Sequence, residues 1–485
     1  MHILVKFFSE INVKSKPVKK RLTNILCSNL AIALKKIDPE IKVRNAWDKI
    51  IIKSPVENKK LKKSLIGKIK KISGIQFFME VKEYELSDFN SIVEKVLLSH
   101  KESLKNKRFC VRCKRSGVHS FSSIDIEKYA GGSLLRKIEG TKVDLHTPEV
   151  TVHIEIKDEK FYVIEEKIQG LCGYPVGSQE KILSLLSGGY DSGVSSFLSI
   201  KKGCKTDFLF FNLGGHAHEV GVKQLAFFLS NHYSDGYEGK VISIPFEEVV
   251  KELLKNVYHK YRGIVLKRCM LKVAEMIANK NNYKALITGE SIGQVSSQTL
   301  TNLNVITQAI NTLVLRPLIS YDKEEIISLA RKIGTEPFAR SMPEYCGVIS
   351  EKPSTAAKIE KVLHEEVSFN ESLLESAYEN KRVVSIQEIT SDVQSLGEVE
   401  VVSTAREEDV IIDIREEEKR KKDPFQHESS ETKIIPFFDI NKEFPKLDQT
   451  KEYLFYCEKG IVSKLHALYL KDKGFKNIQV FIPQS

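Results

Sequence analysis

No apolar run in this 485-residue chain approaches the ~18 residues that a membrane-crossing helix needs, which excludes a helical membrane protein. The first residues, Met1 to Lys16, carry charge too early for a secretory signal, so the expected location is the cytoplasm. Cysteine is sparse, with 8 in all. That is too few for a disulfide scaffold, and Cys27, Cys204 and Cys269, set among apolar or helical residues, are expected to be inert core thiols. Cys110-Val-Arg-Cys113 has the spacing of half a zinc site, but no second pair completes it, so zinc is not expected there. Internal repeats are absent, as is the G-x-x-x-x-G-K-[ST] spacing of a Walker A loop.

What is present is ample material for folding. Hydrophobic residues make up 41% and charged residues 29%, enough for several cores and too apolar for global disorder. A single core stops growing at about 250–300 residues, so the length demands at least two domains. The net charge of +11 is unevenly spread. Residues 1–75 hold 19 Lys+Arg against 5 Asp+Glu, a balance of +14; residues 76–175 balance at 16 and 16; the remainder holds 40 and 43. Such asymmetry suits a polyanion-binding arm on a near-neutral body, and a Lys-rich solvated surface explains it equally well.

Residues 1–60 alternate strand-like runs (2–8 and 42–53) with a helical stretch over 16–36, an α+β pattern. The next hundred predict a helix over 62–72, a strand over 74–82, a helix over 88–105, a basic strand over 108–115 and a helix over 120–138. Two alternating strands follow at 150–157 and 160–167. Beyond Gly173, short apolar runs at 182–186, 207–213, 240–246 and 284–289 alternate with helical patterns, which predicts a parallel sheet covered by helices. Residues 351–398 read as polar and mostly helical. A last βα region begins near Val399, with strands at 409–415 and 454–457 around a charged loop at 415–433.

The most informative segment is Ser187-Gly188-Gly189-Tyr190-Asp191-Ser192, between an apolar strand and a helix. Its glycines let the backbone approach an anion, while hydroxyls and N–H groups at the helix start hold phosphate oxygens. A glycine turn in any doubly wound domain is the bland alternative; the added Asp and two serines favour ATP, with Asp191 organising the loop and a Mg²⁺ ion.

This segment resembles the S-G-G-x-D-S loop of the PP-loop ATP pyrophosphatases. With Phe211–His218, Ile287–Gln298, Leu315–Ser320 and Met342–Val348, it is similar to the tRNA 4-thiouridine synthetase (ThiI) family along the whole chain. The resemblance implies an α/β multidomain fold: an N-terminal ferredoxin-like α+β domain (1–60), a THUMP RNA-binding domain (61–170), a PP-loop adenylation domain built on a doubly wound parallel sheet (173–395), and a rhodanese-like sulfur-carrier domain (400–485). It further implies that Leu185, Leu186, Lys267, Gly289 and Gln298 join Ser187, Gly188, Gly189, Asp191 and Ser192 in binding ATP. A surface lysine and a strand-end turn are the alternatives for Lys267 and Gly289. His216 and His218 lack acidic or Cys partners at metal spacing and are expected to be structural or RNA-facing.

Cys457 ends a strand and is followed by Gly460, Ser463 and a helix that stops at Gly474. Unpaired backbone N–H groups and a positive helix end at such a junction stabilise a thiolate or a persulfide anion. A lone cysteine at a strand end is usually core. The Cys-x-x-Gly-x-x-Ser pattern, with Asp413-x-Arg415 upstream, resembles the rhodanese active-site loop and favours a sulfur carrier. The family resemblance assigns Cys346 as the thiol that attacks the inner sulfur of the Cys457 persulfide, leaving a Cys346–Cys457 disulfide for a reductant to reopen.

Residues 101–115 hold seven Lys+Arg and one acid. With Lys59, Lys60, Lys62, Lys63 and the lysines of 68–71 they suit phosphate contacts on a folded RNA. No RNP-type aromatic motif is found, so recognition by shape and backbone is expected. The resemblance implies ATP-dependent sulfur transfer to uridine 8 of tRNA, with ATP and Mg²⁺, a pyridoxal-phosphate cysteine desulfurase as sulfur donor, a small sulfur-carrier protein of thiamine thiazole synthesis as second acceptor, and a homodimer. Two rivals are a sulfurtransferase serving only a carrier protein and a non-catalytic tRNA-binding protein. The +14 of the first 75 residues weighs against the first, the intact Ser187–Ser192 loop and Cys457 against the second.

Overall fold

A computed structural model describes residues 1–46, 48–55, 58–213, 215–342, 352–389, 399–415, 420–421, 423–425, 427, 430–457 and 461–483. The chain divides into two compact units, Met1–Ser178 and Gln179–Ser485.

The first unit is built on one eight-stranded sheet. Its order across the sheet is Lys42–Ala46, Lys49–Lys53, His2–Phe7, Ile75–Glu85, Lys160–Cys172, Val150–Lys157, Arg108–Ser116, Lys142–Val143. Helix Lys16–Lys35 starts with a proline at its first turn and buries Leu22, Leu26, Leu30, Ala33 and Leu34, a stripe of i, i+4 spacing, against this sheet. Helix Lys59–Ile69 opens on Asn58, whose side chain accepts from Lys60 N at 2.8 Å. Its Leu65 and Ile69 join the same core as Ile3, Val5, Phe78 and Ile168. The helix and strand following residue 60 therefore pack with the first sixty residues, and strand Ile75–Glu85 pairs antiparallel with His2–Phe7. The expected division at residue 60 does not coincide with a break in packing. A second core gathers helices Phe89–Leu104 and Ser123–Lys137 over the other half of the sheet. Asp88 caps the first of them, and a Ser122/Asp125 capping box opens the second.

The second unit holds two sheets. The larger runs Val314–Leu315, Leu286–Ile287, Lys181–Leu185, Lys205–Asn212, Lys240–Pro245, Arg382–Ser385. Its first five strands are parallel, as the alternation of short apolar runs with helices predicts. The sixth is an antiparallel edge strand in the stretch expected to be mostly helical; helices Ile359–Val367 and Ser372–Glu379 precede it. The chain fills the sheet outward on one side of Lys181–Leu185 and then returns to its other side with Leu286–Ile287. The strand order thus reverses between these two, and ligands of open α/β sheets bind at the carboxyl ends of such a pair. The smaller sheet is wholly parallel: Val401–Val402, Ile478–Phe481, Tyr453–Tyr456, Val410–Asp413, Glu431–Ile434. No described helix is long and apolar enough to cross a membrane.

Candidate active site

Strand Lys181–Leu185 ends at the reversal point, and Ser187–Ser192 turns from it into helix Tyr190–Lys201. Gly188 has φ of +90°, a conformation that other residues adopt at a cost, and Gly189 is the residue before the helix. The turn is knotted by Ser192, whose Oγ lies 3.2 Å from both the N and the Oγ of Ser187 and donates to Gly189 O at 3.2 Å. The first N–H groups of the helix thus point at the crevice, a ready anion site. Leu186 N donates to Leu209 O at 2.8 Å and its side chain is buried, so Leu186 offers the crevice only its backbone; Leu185 is half-buried.

Gly289 follows strand Leu286–Ile287 on the other side of the reversal. A Cβ there would stand 2.7 Å from Asp191 C and 2.8 Å from Ser192 N, so only glycine lets the two loops close on each other. Gln298 is buried, and its Oε1 has no hydrogen-bond partner among the described residues; Gln294 Oε1 is in the same state. Two orphaned acceptors beside a phosphate loop suit the N–H and O–H donors of a nucleoside. Lys267, on helix Arg262–Asn281, reaches Glu290 at 2.8 Å, and Arg316 reaches the other oxygen of Glu290 at 2.7 Å. Burial opposes ionisation of Glu290, but the Lys267 ammonium and the Arg316 guanidinium hold its carboxyl below the ordinary carboxylate range.

Four of these residues were not singled out from sequence. Glu290, Gln294 and Arg316 lie inside motifs quoted above, and their chemistry could have flagged them. Lys323 had no signal. It opens helix Lys323–Ile333, and its Nζ lies 3.0 Å from Asp191 Oδ1 and 3.3 Å from Oδ2, with Gln294 Nε2 3.0 Å from Oδ2. Asp191 is the only carboxylate of the loop, and no group of three His, Cys, Asp or Glu among the described residues could hold a metal ion. Asp191 is thus the one loop side chain whose chemistry suits a Mg²⁺ ion carried on ATP phosphates. His218 is the structural alternative: its Nε2 bonds Ser187 O at 2.8 Å, its ring meets Phe210 edge-on at 4.7 Å, and burial lowers its pKa. The side chain of His216 lies outside the described residues.

In the smaller sheet, Cys457 is buried at the carboxyl end of strand Tyr453–Tyr456. Ser463 N, in the first turn of helix Ile461–Asp472, donates to Cys457 Sγ at 3.4 Å. The backbone therefore aims a donor at the sulfur, as expected of a strand-to-helix junction. Asp413 and Arg415 form a buried pair with contacts of 2.9 and 2.8 Å. The Arg415 guanidinium lies 4.8 Å from the Tyr456 ring, on which Phe425 stacks at 3.8 Å. Tyr456 is thus clamped in the position before Cys457. Glu458, Lys459 and Gly460 lie outside the described residues, as does Cys346 and with it the expected disulfide. Burial pushes the Cys113 and Cys204 thiols up to about 11 and that of Cys269 up to about 12, which keeps these three protonated.

The basic residues of the first unit divide. Arg108 pairs with Asp144 and Glu149, Arg112 with Glu127, and Lys62 with Glu80. Lys59, Lys60, Lys63, Lys101, Lys105, Lys107 and Lys114 are exposed, available to phosphates.

The family model described as thiamine biosynthesis protein (ThiI) matches residues 177–371, and the THUMP domain model matches residues 86–164. The chain is 46% identical over 484 residues to a tRNA sulfurtransferase of Colwellia psychrerythraea, with 100% of each chain covered. It is 46% identical over 482 residues to a tRNA sulfurtransferase of Haemophilus influenzae, with 99% of each covered. Among solved structures, a 4-thiouridine synthetase–RNA complex with bound ATP superposes with a TM-score of 0.69 at 27% identity, covering 79% of this chain and 99% of that one.

Proposed function

The chain belongs to the tRNA sulfurtransferase family, and on that premise we propose that it adenylates uridine 8 of tRNA and replaces its O4 by sulfur carried on Cys457, giving 4-thiouridine. The activity is ATP-dependent tRNA thiolation. The observation that carries the reading is the closure of the Gly289 turn on Asp191 and Ser192, which builds a phosphate cradle where the strand order reverses. The matching 4-thiouridine synthetase structure contains RNA and ATP.

The residues divide the work. Ser187, Gly188, Gly189 and Ser192 hold the β,γ-phosphates, and Gln298, Gly289, Leu185 and the Leu186 backbone bound the nucleoside. Lys267, fixed by Glu290, and Lys323, on Asp191, bring positive charge to the phosphates. Mg²⁺ supplies further charge neutralisation when ATP brings it, with Asp191 as the protein carboxylate. Uridine O4 attacks the α-phosphorus and pyrophosphate leaves. The outer sulfur of the Cys457 persulfide then attacks C4, and AMP leaves with the former O4. The Cys346 thiol attacks the Cys457 sulfur, which releases 4-thiouridine and leaves a disulfide that a cellular thiol reductant reopens.

A pyridoxal-phosphate cysteine desulfurase loads Cys457, and the active form is a homodimer. Sulfur delivery to a small carrier protein for thiamine thiazole synthesis is a second role, supported by the description of the family model matched by residues 177–371. The test is incubation with tRNA, ATP, cysteine and a desulfurase, followed by nucleoside mass spectrometry. 4-Thiouridine is the expected product, and its absence would overturn the reading.

A further inference from the structure

Among the described residues, two helix pairs that lead into the reaction centre join the C-terminal sheet to the phosphate-loop sheet. Helix Glu336–Ser341 packs against helix Phe437–Glu443, with the Phe338 and Phe437 rings 5.9 Å apart. Phe437 stands 5.9 Å from the ring of His466, on the same helix Ile461–Asp472 whose Ser463 donates to Cys457 Sγ. This helix also packs against helix Gly215–Tyr233. Phe228 of that helix lies 5.1 Å from Phe338, and its His218 holds the Ser187 carbonyl.

The other end of the seam is equally well placed. Helix Glu336–Ser341 runs directly into Met342, whose side chain is the first neighbour that a Cβ on Gly188 or Gly221 would meet. Met342 is four residues before Cys346 in sequence. One seam of rings therefore links the helix that leaves the Cys457 loop to the helix that leads toward Cys346 and the phosphate loop. His466 is 1% exposed, and burial pushes its pKa down to about 3, so it packs there as a neutral ring.

We propose that the Phe338–Phe437 seam docks the sulfur-carrying module on the adenylating domain of the same chain, so that Cys457 delivers its sulfur in cis. Phe338 is then a positioning residue for the transfer step alone. The proposal rests on the sulfur chemistry above. Its physical basis is that holding two reacting centres on one chain turns their encounter into an intramolecular step of high effective concentration. The tilted ring pairs give the seam a preferred geometry without charge.

The test separates transfer from the steps that feed it. Phe338→Asp places a charge in the seam while Phe338 itself is only half-buried. Single-turnover transfer from preloaded persulfide to adenylated tRNA is expected to slow at least about tenfold, and Phe338→Leu to recover most of the loss. Adenylation of tRNA and persulfide loading, measured separately, are expected to stay within about twofold and to certify folding. Parental transfer in Phe338→Asp would overturn the inference. So would recovery of about half the parental rate on mixing Asp191→Ala with Cys457→Ser chains, since that places delivery between chains. If the parental chain itself makes no 4-thiouridine, the proposed function falls and this inference with it; normal 4-thiouridine synthesis by Phe338→Asp removes the inference alone.

Discussion

The Lys323 ammonium sits astride the Asp191 carboxylate, 3.0 Å from one oxygen and 3.3 Å from the other, across 132 positions of sequence. The pair brings the sole acid of the phosphate loop and an exposed cation to one point. Lys323 Nζ is also 5.6 Å from the ring of Tyr190, the first residue of the helix that follows the loop. Lys323→Met is expected to lower adenylation by about 10²–10³-fold, the usual loss when one charge-stabilising donor is removed. Pyrophosphate release from ATP and tRNA measures this, and tRNA affinity is expected to be unchanged.

Gly289→Ala tests the closure of the two loops. The added methyl would meet backbone atoms of Asp191 and Ser192 at 2.7 and 2.8 Å, and backbone has no cheap way to yield. Adenylation is expected to fall by about 10²-fold through misplacement of the cradle. Affinity of the Gly289→Ala chain for tRNA, expected to stay at the parental level, serves as the control.

Glu290 lies between Lys267 and Arg316, and Glu290→Gln removes the charge that both cations face. Breaking a buried ion pair on one side costs about 3–5 kcal/mol, and Glu290 is buried while Arg316 is only half-buried, so a loss of about 3 kcal/mol is expected in denaturant unfolding. The pH dependence has a definite sign. The folded carboxyl is held below its ordinary value, so its stabilisation is complete above about pH 4.3, the unfolded range, and is lost as pH falls through the lower folded value. A Tm series in acid is expected to drop for the parent and to be flatter for Glu290→Gln.

Asp413→Ala removes the nearer of two carboxylates beside a buried guanidinium that underlies Tyr456, the other being Asp423 at 3.8 Å. The C-terminal module is expected to lose about 3–5 kcal/mol. Persulfide loading of Cys457 is expected to fall with it, while adenylation by the phosphate-loop domain persists. Cys457→Ser, by contrast, is expected to leave stability near the parent and to stop sulfur transfer outright.

Replacing Lys101, Lys105, Lys107 and Lys114 by Gln removes four exposed charges from the first unit. Affinity for tRNA is expected to fall, and the slope of log K against log salt to flatten by about 0.7–0.9 for each phosphate that is no longer neutralised. An unchanged slope would move the RNA-binding face to other lysines.

What could be read from the sequence was what depends on neighbours in the chain. The Ser187–Ser192 cradle is local chemistry: glycines, hydroxyls and an acid between a strand and a helix, and it folds as read. The parallel sheet was visible because buried strands must be apolar throughout. Gly289 could be singled out only through the family resemblance, because its need for glycine comes from a loop about a hundred residues earlier. Lys323 was invisible for the same reason, being one surface lysine among many until the fold places it on Asp191. Strand Arg382–Ser385 hid in a polar stretch because an edge strand buries little: only Val384 of its four residues is buried. The packing across residue 60 was missed because Ile75–Glu85 answers to His2–Phe7, seventy residues away, and not to its own surroundings.

The single sheet of the first unit also sets a timetable for its synthesis. Strand Ile75–Glu85 gains its second neighbour only from Lys160–Cys172, the last strand of the unit to be made. The 87 residues from 86 to 172 must leave the ribosome first. At about 5–20 residues per second, that edge stands open for roughly 4–17 s in every nascent chain. During that time the early half of the unit is a sticky ribbon, and slowing translation within residues 86–172 would raise its chance of pairing with the wrong strand.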